Sequence, residues 1–170
     1  MGLLDILRQY SDPDSPPPSG VASHFDTVAL QADSQDLGNG IAAALRSDAT
    51  PSFGETVSTL FGQSNPSQKA GLINEIIRVL GPAAAATAGG GILGRILGTG
   101  TAGSAPLTPE QAAQISPPDV NTIATHAEQQ DDSIVDRLSS FYAQHPTLVK
   151  TLGVVALSAV MSHMNGQRRR

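Results

Sequence analysis

An all-α fold is what this sequence predicts, and three observations carry the prediction. Aromatic residues make up only 4% of a chain that is 39% hydrophobic, and tryptophan is absent. The core must then be built from Leu, Ile, Val and Ala, whereas strands favour aromatic and β-branched side chains. Apolar residues recur at three- and four-residue intervals in one segment after another, with no period-2 alternation and no βαβ rhythm. Helix-start signals, a capping residue followed by proline, recur at Asn65-Pro66, Thr108-Pro109 and Ser116-Pro117. The expected architecture is a multihelical bundle around a buried apolar C-terminal helix, with an N-terminal helical arm and a Gly-rich central segment.

The arm is Met1 to Tyr10, where Leu3, Leu4, Ile6, Leu7 and Tyr10 share a broad face and Asp5, Arg8 and Gln9 fall elsewhere. "SDPDSPPPSG" ends it, and Pro16 to Pro18 favour a stiff, extended connector. The arm is therefore placed to dock on its own body or on a neighbour's. A helix begins near Val21, with Phe25, Val28, Ala29 and Ala32 on one face, and another runs from Leu37 to Leu45. Phe53, Val57, Leu60 and Phe61 supply the stripe of the next, with Thr50 or Ser52 as its cap. The clearest helix follows. Asn65 caps it, Gln68 is placed for a capping box, and Leu72, Ile73, Ile76, Ile77 and Leu80 line one face up to Gly81-Pro82.

Thr108 to Gln111 repeats that start signal for little more than one turn. Ser116 to Asp119 repeats it again, opening a helix with Val120, Ile123, Ala124 and Ala127 on one face. Asp131 or Asp132 caps a further helix carrying Ile134, Val135, Leu138, Phe141 and Tyr142, and His145-Pro146 breaks it. The last helix is read from Leu148 to Met161, and from Leu152 to Met161 it is apolar nearly all round, with only Ser158 intervening. Such a helix is buried in a bundle or in a membrane. Its strongly apolar part is about half of the roughly 20 residues that span a bilayer, which favours the bundle. The chain thus divides into an arm and connector at 1–20, a helical domain at 21–165 interrupted by a Gly/Ala-rich segment at 82–106, and a basic tail at 166–170.

The interruption contains "GGGILGRILGTG", Gly89 to Gly100. Ala86, Gly90, Gly94, Gly98 and Ala102 fall at four-residue intervals, so a helix here would carry a smooth ridge of small residues, with Ile92, Leu93, Ile96 and Leu97 mostly away from it. Gly89, Gly90, Gly91, Gly94 and Gly98 would cost that helix roughly 4–5 kcal/mol against alanine. It would need something packed against it. Three readings stand: a connector, a helix packed within or between subunits, and a membrane element. Arg95 counts against deep burial in a membrane.

Chemical motifs are sparse. With no cysteine, thiol catalysis and thiolate metal sites are excluded. His24, His126, His145 and His163 show no metal-ligand spacing, and each is read as a structural or surface residue. His24 and Asp26 are two apart, as are His126 and Glu128, so neither pair shares a helix face. There is no nucleophile elbow or phosphate loop. The formal net charge is −5, with eight acids against Arg8 and Arg46 up to Leu60, while Arg168 to Arg170 close the chain. An acidic body argues against nucleic acid as a partner. Asp5 and Arg8 make the first ten residues a poor secretory signal, so a cytoplasmic address is expected.

"LFGQSNPSQKAGLINEII", "LTPEQAAQISPPDV" and "FYAQHPTLVKTLG" together resemble small, mostly uncharacterised bacterial proteins and are loosely similar to the YidB-like group of helical domains of unknown function. The resemblance covers the "MGLLDIL" start, the Gly-rich middle and the Pro-led helix starts. It implies a multihelical fold and no assigned activity.

The functional expectation is a non-enzymatic structural or interaction protein that associates with itself or another protein, with no catalytic, cofactor or metal site. Expected contact residues are Leu3, Leu4, Ile6 and Leu7 in the arm and Gly90, Ile92, Leu93, Gly94, Ile96, Leu97 and Gly98 in the middle. A membrane-associated protein and a small-ligand-binding helical domain are the alternatives.

Overall fold

The helix starts written in the sequence are helix starts in three dimensions. A computed structural model of the chain describes residues 2–11, 16–48, 50–81, 85, 87, 94–96 and 106–168. The described helices are α1 (Leu3–Arg8), α2 (Val21–Gln31), α3 (Ser34–Leu45), α4 (Phe53–Gln63), α5 (Pro66–Leu80), α6 (Pro109–Ala113), α7 (Pro117–Gln130), α8 (Ser133–Ala143), α9 (Pro146–Val149) and α10 (Val154–Arg168), with a 3₁₀ turn at Lys150–Leu152. No strand occurs among the described residues. The fold is all-α.

Capping explains the sharpest boundaries. The Asn65 side chain accepts from the Gln68 N–H at 2.8 Å, and the Asn65 N–H donates back to Gln68 Oε1 at 3.0 Å. Thr108 and Gln111 build the same box at α6, and the Ser116 hydroxyl accepts the Asp119 N–H at α7. Each satisfies donors that a helix N-terminus otherwise leaves unpaired.

The chain divides into two compact units. One combines Met1–Ser52 with Ser139–Arg170, and the other is Phe53–Leu138. In the first unit α10 packs against α1, α2 and α3. Phe25, Val28, Leu37, Ile41, Tyr142, Leu157, Val160 and Met161 are buried there. α3 approaches α10 closely at Gly40, where a methyl group would meet Val160 O at 3.1 Å, Val160 Cγ1 at 3.0 Å and Met164 Cγ at 2.9 Å. Lys150 Nζ pairs with the Asp26 carboxylate at 2.7 Å. Both side chains remain partly exposed, so the pair is worth about 0–1 kcal/mol.

In the second unit α4 packs along α7, and α5 packs on α6 and α7. Val57, Leu60, Phe61, Leu72, Ile73, Ile76, Ile123 and Ala127 are buried. Two polar links tie distant segments together. Asn74 brackets the Leu107 peptide, accepting its N–H at 2.8 Å and donating to its carbonyl at 3.4 Å. The Ser58 hydroxyl donates to the Pro117 carbonyl at 2.8 Å.

The C-terminal helix departs from the sequence reading. Leu148 to Met161 is not one helix, because the chain breaks at Gly153, whose φ is +89°. The segments on either side are bent by 120°. Glycine carries no Cβ and adopts this left-handed φ without strain. The second segment then runs on to Arg168, into the stretch read as a tail. Its burial also differs from expectation: Leu157, Val160, Met161 and Met164 are inside, while Val154 and Val155 are 51% and 55% exposed.

Candidate functional site

The expected contact residues fall into three groups. Ile6 and Leu7 are buried within their own unit, so the arm docks on its own body. Leu3 is half-buried, and Leu4 is 56% exposed. Gly94 and Ile96 are helical and half-buried, with Arg95 exposed between them. Gly90, Ile92, Leu93, Leu97 and Gly98 lie outside the described residues, as does most of the expected small-residue ridge.

What the structure adds is exposed apolar surface on the first unit. Leu30 is 87% exposed on α2, and Val154 and Val155 open α10. Large aliphatic side chains this open to water are where apolar association gains most, at about 25 cal/mol per Å² covered. Leu30 was legible in principle. Val21, Phe25 and Val28 form the inward stripe, and Leu30 lies nine residues after Val21, half a turn away at roughly 100° per residue. Val154 and Val155 were not legible, because a run that is apolar on every side does not say which flank its neighbours leave open.

A second candidate is an open groove along α7, lined by Pro118, Asn121, Thr122, Thr125, His126 and Gln129. Asn121 Oδ1 accepts from the Thr125 hydroxyl at 3.3 Å. The same two residues face Gly54 of α4, where a methyl group would meet the Asn121 carbonyl at 2.9 Å and collide with both side-chain oxygens. Asn121 and Thr125 offer uncharged amide and hydroxyl groups there.

The other histidines make local contacts. His24 Nδ1 shares a 3.0 Å hydrogen bond with the Tyr10 hydroxyl. His163 Nε2 shares one of 3.0 Å with Gln167 in the next turn. The His145 ring lies 4.8 Å from that of Phe141. Among the described residues, no three His, Asp or Glu side chains gather as a metal site.

Shifted acid–base groups follow burial or capping. Burial pushes the Tyr142 phenol well above its ordinary range, and its hydroxyl makes no hydrogen bond. Burial raises Tyr10 as well. Hydrogen bonding to Ser133 lowers Asp131, whose carboxylate accepts the Ser133 N–H at 3.0 Å ahead of α8. None of the three faces the α7 groove.

No family model matches the sequence, and neither a characterised protein nor a solved structure matches it.

Proposed function

We propose that this chain is a non-enzymatic bacterial structural or interaction protein that associates with itself through apolar helix surface on its first unit. The observation that carries this reading is Leu30, Val154, Val155 and Leu4 standing at 51–87% exposure on that unit. Scattered exposed leucines are ordinary, but α10 is apolar on more sides than its neighbours cover. With only 15% charged residues, the chain's surface relies on neutral polar and small side chains, which pack readily against other protein. A protein partner, rather than nucleic acid, fits the acidic balance, and a cytoplasmic address rests on Asp5 and Arg8 interrupting the first apolar run.

The test is to place charge on that surface. Leu30→Asp combined with Val155→Asp changes side chains that are 87% and 55% exposed, so the helical circular dichroism is expected to be retained while light scattering shows a smaller particle than the parent. Equal masses for the parent and the charged variant at every concentration would refute the reading.

One observation favours a second reading, membrane association. No single described helix is long and apolar enough to cross a membrane, but Pro146–Leu152 and Val154–Gln167 together are, by length and composition. Their 120° bend suits a re-entrant or interfacial element better than a straight span. Flotation with anionic liposomes at low salt separates the two readings. Membrane association requires the protein to rise with the vesicles, and self-association leaves it at the bottom.

A further inference from the structure

The arm docks in the manner of a bound peptide. Leu3, Ile6, Leu7 and Tyr10 occupy positions i, i+3, i+4 and i+7. Ile6, Leu7 and Tyr10 are buried against α2 and α10, and Leu3 is half-buried. That spacing is how an amphipathic helix fills a groove in another protein. At six residues, α1 is far below the roughly 12–15 needed for an isolated helix in water. It is helical because it is seated.

Two polar contacts fix its register at the C-terminal end. The Tyr10 hydroxyl meets His24 Nδ1 at 3.0 Å, and Asn165 Nδ2 donates to Ser11 Oγ at 3.0 Å. The covalent link from arm to body is residues 12–20, nine residues that include Pro13, Pro16, Pro17 and Pro18. Nine residues reach at most about 30 Å.

We propose that the surface formed by α2 and α10 is a helix-binding groove whose exchange ligand is the arm of a second copy of this chain. The inference rests on the self-association reading and gives it a second, separable mechanism. The groove is already seated with this very sequence, so an arm from another copy makes the same contacts. Reciprocal exchange restores every contact in both copies, and only the freedom of the two bodies is lost. A short tether gives the chain's own arm an effective concentration of the order of millimolar. Exchange therefore grows as the protein concentration climbs toward that range.

The absence of cysteine from these 170 residues allows a clean test in the same chain. Ser11→Cys and Asn165→Cys chains are co-expressed and treated with a bis-maleimide short enough to join only neighbouring thiols. The Ser11→Cys/Asn165→Cys double variant reports the seat itself by linking within one chain. The mixture of single variants is expected to give a covalent pair at twice 17.5 kDa. Its yield is expected to exceed that of either single variant alone and to rise with concentration, and Leu7→Asp in the Ser11→Cys chain is expected to abolish it.

Internal linking of the double variant with no excess of pairs in the mixture overturns the proposal. Failure of the double variant to link internally also overturns it, because the seat is then not the one described. Light scattering on the same samples separates the two ideas: oligomers without the covalent pair reject arm exchange alone, and monomers throughout reject self-association as well.

Discussion

Tyr142 and Ser158, both in the first unit, carry buried hydroxyls without a hydrogen-bond partner, and Tyr142 is the larger. Its side chain is fully buried and its hydroxyl makes no hydrogen bond. A buried polar group left unpaired costs about 1–3 kcal/mol. Tyr142→Phe keeps the ring and removes the cost, so denaturant melts are expected to show a gain of about 1 kcal/mol. A loss of that size would mean the hydroxyl is satisfied. The same burial sets a pH dependence. The neutral phenol is the form the fold tolerates, so the folded pKa lies above the unfolded value of about 10. Stability is therefore whole below pH 10 and falls as the pH rises from there toward the folded value. Tyr142→Phe is expected to remove most of that alkaline loss, leaving the share contributed by Tyr10.

Gly40 and Gly54 matter for the opposite reason, since each sits where another helix leaves no room. At Gly40 the neighbours include the Val160 carbonyl, and at Gly54 the Asn121 carbonyl, and neither can swing away as a side-chain end does. Overpacking costs about 1–3 kcal/mol, against a gain of up to about 1 kcal/mol in helix propensity. Gly40→Ala and Gly54→Ala are each expected to lower stability by about 1–2 kcal/mol in chemical denaturation. A stabilising alanine at either site would show that the helices do not approach this closely. The sequence drew the eye to the glycine ridge at Gly90, Gly94 and Gly98, yet the glycines shown in close contact are ones whose spacing announces nothing. A glycine at a crossing is recognisable only once its partner helix is known.

At the scale of elements, the local chemistry was the readable part. The capping boxes at Asn65 and Thr108 and the Ser116 cap involve residues three apart, so their geometry is contained in the sequence itself. Asn65→Ala is expected to cost about 1 kcal/mol, measured by thermal or denaturant melts, because it orphans the Gln68 N–H. No measurable change would mean that Gln68 or water carries the cap alone. The last helix was not readable in the same way. Gly153 sits inside an apolar run, and hydrophobicity alone cannot tell a glycine that helices tolerate from one at φ +89° that turns the chain. The arm was half readable: its face was clear from the spacing, but which body it seats on is a tertiary fact.

At the scale of the molecule, the all-α class followed from an aliphatic, aromatic-poor core. The grouping into units did not. The first unit joins both ends of the chain, with α10 against α1, α2 and α3, and no periodicity in α10 names those neighbours. The candidate surface follows the same pattern. Leu30 could be placed outside the α2 stripe by counting, whereas the openness of Val154 and Val155 depends on what fails to cover them. A chain with apolar helix side chains left open to water is expected to find itself as a partner. The most direct check is the mass of the unmodified protein by light scattering across a concentration series without detergent. Self-association predicts a mass above 17.5 kDa that grows with concentration to a defined multiple. A mass fixed at 17.5 kDa up to the highest soluble concentration would contradict it.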